Sequence, residues 1–125
     1  MGKDAYYFKH LSNARNDPKH IAMVKDHGVR GYGIYWMFVE ILREDARYKF
    51  EDKDYNWIGF SEVTRCPIDE LKNFIGECVT KYDLISRDDN FFYSMTMLRA
   101  MSEIDLLRDK KRQAAETRWA KQDAL

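Results

Sequence analysis

The sequence predicts a mainly α fold with a small β-hairpin (α+β), arranged as a winged helix-turn-helix with extra N-terminal helices and a long C-terminal helix. Three observations predict it. Apolar residues recur at three- and four-residue spacing in several separate stretches. One β-rich stretch, split by the polar link Arg87-Asp88-Asp89-Asn90, reads as a hairpin. Helix, proline-bearing turn, helix and hairpin then follow one another in the winged-helix order.

The elements run as follows. Ala5-Tyr6-Tyr7-Phe8 is an aromatic run expected to anchor the N-terminus on the core. Asn16-Asp17-Pro18 starts a helix, since Asp17 can cap free amides and proline suits the first turn. That helix is expected to turn Ile21 and Val24 inward, with Met23 near them, and to stop at Gly28. From Ile34 to Arg47 the positions Ile34, Met37, Phe38, Ile41 and Leu42 mark a central buried helix, and Glu40, Arg43 and Glu44 its wet side. Tyr48-Lys49-Phe50 alternates like a short strand, and Trp57 to Thr64 reads as a short helix broken at Arg65-Cys66-Pro67. A third periodic helix begins near Asp69 and carries Leu71, Phe74, Ile75, Cys78, Val79 and Tyr82. Leu84-Ile85-Ser86 and Phe91-Phe92-Tyr93 are the hairpin strands, and Ser94 can cap a final helix from Met95 past Leu107.

A chain of 125 residues fits one domain, and 45% hydrophobic residues supply a core. We divide it into a winged-helix domain over 1–107 and a basic helical extension over 108–125. No apolar run approaches the ~18 residues a membrane crossing needs, and no signal-peptide core follows Met1, so a cytoplasmic protein without membrane contact is expected. Cys66 and Cys78, twelve apart, read as two reduced thiols.

Charge is zero overall but unevenly placed. Residues 1–30 hold six basic and three acidic side chains, a net +3; residues 31–107 hold nine and fifteen, a net −6. Residues 108–125 again hold six and three, a net +3. An acidic middle between basic ends decides where DNA could bind. The helix after the turn offers Asp69, Glu70, Lys72, Asn73, Glu77 and Lys81, a poor phosphate surface, and Arg87 on the hairpin is cancelled by Asp88 and Asp89. Candidate DNA-binding residues are therefore Lys9, Arg15 and Lys19 at one end and Arg108, Lys110, Lys111, Arg112 and Arg118 at the other.

Catalysis has no candidate residues. No GxSxG, HExxH or P-loop is present, and Gly28, Gly31 and Gly33 are not spaced as a dinucleotide loop. His10, His20 and His27 read as surface or capping histidines without a metal-ligand set, so no enzyme activity, metal or cofactor is expected. Self-association does have candidates: Met97, Met101, Ile104 and Leu107 form an apolar stripe on the last helix, and Trp119 lies beyond it, where burial within one chain is difficult.

Three stretches carry a resemblance. They are Tyr7-Phe8 with Asn13-Ala14-Arg15-Asn16-Asp17-Pro18-Lys19, then Gly28 with Gly31-Tyr32-Gly33-Ile34-Tyr35-Trp36 and Glu40, and finally Lys110-Lys111-Arg112 with Ala114-Ala115-Glu116 and Arg118-Trp119. Together they resemble the DnaD-like N-terminal domain of phage and prophage replication (replisome organiser) proteins. The resemblance implies a non-enzymatic interaction and oligomerisation module of a DNA replication initiation protein. Its implied partners are replication proteins, among them a helicase or its loader, and further copies of itself. DNA binding and helicase-loader contacts in such relatives often lie in a separate C-terminal part, so the chain is expected to be one piece of a longer protein. The alternative is a sequence-tolerant DNA-binding domain working through the basic ends. One departure stands out: Ala114-Ala115-Glu116-Thr117 replaces the glycines of related tails and favours a continuing helix.

Overall fold

Asp17 opens the first helix by accepting the Lys19 amide at 2.8 Å, with Pro18 in the first turn. The computed structural model, which describes residues 16–123, carries that helix, α1, over Pro18–Glu44. The stop expected at Gly28 is a kink inside it. Gly28 adopts φ 70°, ψ −169°, a backbone open essentially to glycine alone, and splits α1 into two arms. Gly31, the buried glycine just beyond, lets the arms close up: a Cβ there would lie 2.4 Å from the Cβ of His27. The first arm turns His20 and Met23 inward and leaves Ile21 exposed, which corrects the inward placement of Ile21. The second arm buries Ile34, Tyr35, Phe38, Val39 and Leu42, while Met37 and Ile41 are partly buried.

Asp45 ends α1 and turns the chain, its carboxylate accepting the Arg47 amide at 2.8 Å. Strand β1 (Lys49–Glu51) follows, then α2 (Asp54–Thr64), which buries Trp57 and Phe60. Arg65 closes α2 in the left-handed conformation, and Ser61 Oγ donates to the Cys66 carbonyl at 2.6 Å, folding the turn onto Pro67. Helix α3 (Ile68–Thr80) buries Leu71, Phe74, Ile75 and Cys78. Strands β2 (Ser86–Arg87) and β3 (Phe91–Tyr93) form the expected hairpin, its tip held by Asp88 Oδ1 accepting the Phe91 amide at 3.0 Å. β1 pairs antiparallel with β3, Phe50 opposite Phe92, giving the order β1-β3-β2. The sequence order helix, turn, helix, hairpin is thus present over residues 54–93.

Packing centres on aromatic rings. Phe38 stands 5.1 Å from Phe50 and 5.4 Å from Phe60, and Trp57 lies 4.9 Å from Phe50 and 5.7 Å from Phe92. One ring cluster therefore joins the second arm of α1, α2 and the sheet. Ser94 caps the last helix, α4 (Met95–Asp123), its hydroxyl accepting the Met97 amide at 3.2 Å. Met97, Ala100, Met101 and Ile104 on α4 close the core.

Candidate interaction surface

α4 changes character along its length without a break. Its start is packed down to Ile104, and Asp105 is held by the Tyr48 hydroxyl, which donates to its carboxylate at 3.1 Å. From 106 to 120 every residue is exposed. This burial pattern corrects the self-association stripe. Met97 and Met101 are completely buried and Ile104 nearly so, all three as members of the chain's own core cluster. Leu107 and Trp119 do stand outside, 58% and 67% exposed, and Leu106, which the sequence reading did not single out, joins them at 56%.

The projecting stretch is also basic. Arg108, Lys110, Lys111, Arg112 and Arg118 are all exposed on it. Arg112 bonds back along the helix to Asp109 at 3.4 Å and faces Glu116 at 4.0 Å. Eighteen residues make five turns, so Trp119 lies on the same helix face as Met101, with Arg108, Arg112 and Ala115 between them. Lys9 and Arg15 lie outside the described residues, as does the aromatic run Ala5-Tyr6-Tyr7-Phe8. Lys19 is paired with Asp83 at 3.2 Å.

α3 differs from its sequence reading in a specific way. Two of its three acidic residues, Glu70 and Glu77, are tied up rather than spread over the open face. Glu70 is bound by Arg30, Glu77 Oε2 lies 2.5 Å from His27 Nε2, and Lys81 pairs with Asp26 at 2.8 Å, all toward the kinked region of α1. The Arg30 guanidinium holds the Glu70 carboxyl below its ordinary range, and hydrogen bonds from Lys81 and Tyr82 do the same for Asp26. Asp69, Lys72, Asn73 and Thr80 are what α3 leaves exposed. His20 corrects another expectation: it is buried among Tyr32, Tyr35 and Trp36 rather than on the surface, and burial lowers its pKa. Among the described residues its Nδ1 has no hydrogen-bond partner. Both cysteines are buried and unpaired, and burial pushes the Cys78 thiol up to about 12.

A second surface was missed by sequence reasoning. Between the end of α1, β1 and α2 runs a groove of about 560 Å³ with Ile41, Phe50, Gly59 and Phe60 along it and Glu44 and Glu51 at its edge. Tyr55 and Val63 also line it, 65% and 57% exposed, and Ile58 on the same helix is 51% exposed. The available signal was the recurrence of Tyr55, Ile58 and Val63 on the face of α2 opposite Trp57 and Phe60.

Among the described residues no group of three or more His, Cys, Asp or Glu could hold a metal ion, and no helix is long and apolar enough to cross a membrane. Compared with known proteins, residues 7–97 match the family described as Lin1244/Lin1753-like, N-terminal. No curated protein and no solved structure matches the chain.

Proposed function

The chain belongs to the Lin1244/Lin1753-like N-terminal family, and from that premise we propose that it is a non-enzymatic winged-helix module of a phage-type DNA replication initiation protein, working in the cytoplasm and self-associating through α4. The order of α2, turn, α3 and hairpin supports the winged-helix reading. The observation that carries self-association is the projecting helix: 106–120 is helical yet wholly exposed, with Leu106, Leu107 and Trp119 on it. An isolated helix of about this length is marginal in water, so a partner that covers it stabilises it. The resemblance to DnaD-like domains supports placing the module in replication, with a helicase or its loader among the partners.

Sequence-tolerant DNA binding is the second reading. It is favoured by four cations, Arg108, Lys110, Lys111 and Arg118, none of which has a partner among the described residues. Light scattering with and without duplex DNA, at two salt concentrations, separates the readings. Apolar self-association persists as salt rises, whereas phosphate binding falls steeply. A chain that stays monomeric at high micromolar concentration overturns the first reading. DNA binding lost equally on reversing Lys72 alone and on reversing Lys110, Lys111 and Arg112 together overturns the second.

A further inference from the structure

We propose that the groove between α1, β1 and α2 receives the projecting end of α4 from a second copy of this chain, with Trp119 as the anchor. The proposal rests on the self-association reading and gives it a receptor surface.

Three observations point to this occupant. The first is charge. Glu44, Asp45 and Glu51 line the groove together with Arg47 and Lys49; Arg47 lies against Asp45 at 4.0 Å and Lys49 against Asp88 at 3.6 Å, which leaves Glu44 and Glu51 as the lining charges without an ion pair among the described residues. The end of α4 presents Arg112 and Arg118 around Ala115 and Trp119. The second is shape. The groove floor is apolar, and at Gly59 an added Cβ would meet nothing within 4 Å, so a bulky ring can approach the α2 backbone there. A tryptophan brings about 150–250 Å² of surface to such a site.

The third is distance. Asp105 touches Tyr48, and Arg47 and Lys49 on either side of Tyr48 line the groove. Fourteen residues of unbroken helix then carry Trp119 about 21 Å onward, at 1.5 Å per residue. A rigid helix leaving beside the groove cannot turn back into it, so its tip is presented to another molecule. A two-fold arrangement lets each chain fill the other's groove.

The test is a charge exchange in the full chain, read by sedimentation velocity, with circular dichroism to verify folding. One variant carries Glu44→Arg and Glu51→Arg, the other Arg112→Glu and Arg118→Glu. Each alone is expected to weaken self-association at least tenfold. Mixed in equal amounts they are expected to associate again, because both contacts become complementary. Gly59→Arg, which fills the groove from an open position, is expected to abolish association without loss of helix signal. An associating wild type that loses association in the α4 variant but not in the groove variant or Gly59→Arg overturns the groove assignment and leaves self-association through α4 standing. A wild type that is monomeric overturns both, and α4 occupied by duplex DNA on a monomeric chain overturns both in favour of the DNA reading.

Discussion

The Asp52 carboxylate accepts the indole N–H of Trp57 at 2.7 Å, and its other oxygen accepts from Arg87 at 2.8 Å. One side chain between β1 and α2 thereby satisfies the polar atom of the largest fully buried ring and ties it to the hairpin. The Trp57 hydrogen bond first, and Arg87 after it, hold the Asp52 carboxyl below its ordinary range. A depressed carboxyl stabilises the fold above its unfolded value, and that contribution is lost as pH falls through the folded value. Asp52→Asn is expected to flatten the acid limb of stability against pH, and Asp52→Ala to cost about 1–3 kcal/mol by leaving the buried indole N–H unsatisfied. Urea denaturation from pH 3 to pH 7 measures both.

His20 works in the opposite sense to a paired histidine. Burial lowers its pKa from the ordinary 6.5, so the unfolded chain binds the extra proton first. Stability is expected to rise with pH up to about 6.5 and then level off. His20→Phe is expected to remove that slope while keeping the ring packing against Tyr35 and Trp36. A variant with the slope of the wild type counts against the assignment.

Two glycines of α1 are expected to respond oppositely to alanine. Gly28→Ala forces a side chain onto φ 70°, ψ −169°, a cost of about 1–3 kcal/mol in backbone strain, with nothing for the new methyl to strike. Gly33→Ala, on the helical second arm with open space around it, is expected to stabilise by about 0.5–1 kcal/mol. Denaturation midpoints of the pair separate the kink from the helix around it.

Met101 and Trp119 share a helix face but not an environment. Met101→Ala is expected to cost about 2–5 kcal/mol, as a core truncation does. Trp119→Ala is expected to stay within about 0.5 kcal/mol in dilute solution, where association does not contribute. Comparable losses for both would place Trp119 in the fold.

The sequence made the helices and the hairpin readable because their signals are local. Asp17-Pro18 before α1, Pro67 between α2 and α3, and Ser94 before α4 all act within a turn of themselves. Most of the expected core is buried too, although Val24, Met37, Ile41, Val79 and Leu84 are only partly covered and Ile21 is exposed. What the sequence hid is tertiary. Apolar spacing on α4 is the same whether the stripe faces its own core or solvent, so the burial of Met97, Met101 and Ile104 and the exposure of Leu107 and Trp119 could not be told apart from it. The pairing of Glu70, Glu77 and Lys81 with α1 involves residues on both sides of the kink at Gly28, a position the sequence marks as a stop but whose angle no spacing encodes. The groove joins residues from 41 to 63 across three elements, and only their assembly brings Ile41 to Gly59.

The two buried thiols make the chain its own stopwatch. Cys78 lies on α3 with no exposed surface and a thiol displaced to about 12, and Cys66 is covered in the turn before it. The thiolate is what attacks a water-soluble alkylating reagent, displacing its leaving group, so modification of Cys78 has to wait for α3 to lift away from the core. Because Cys66 sits where Arg30 Nη2 donates to its sulfur at 3.2 Å, it is uncovered when α1 parts from the turn. The ratio of the two labelling rates therefore times a local detachment of α1 against a wider opening of the core, with both reporting thiols already in the chain.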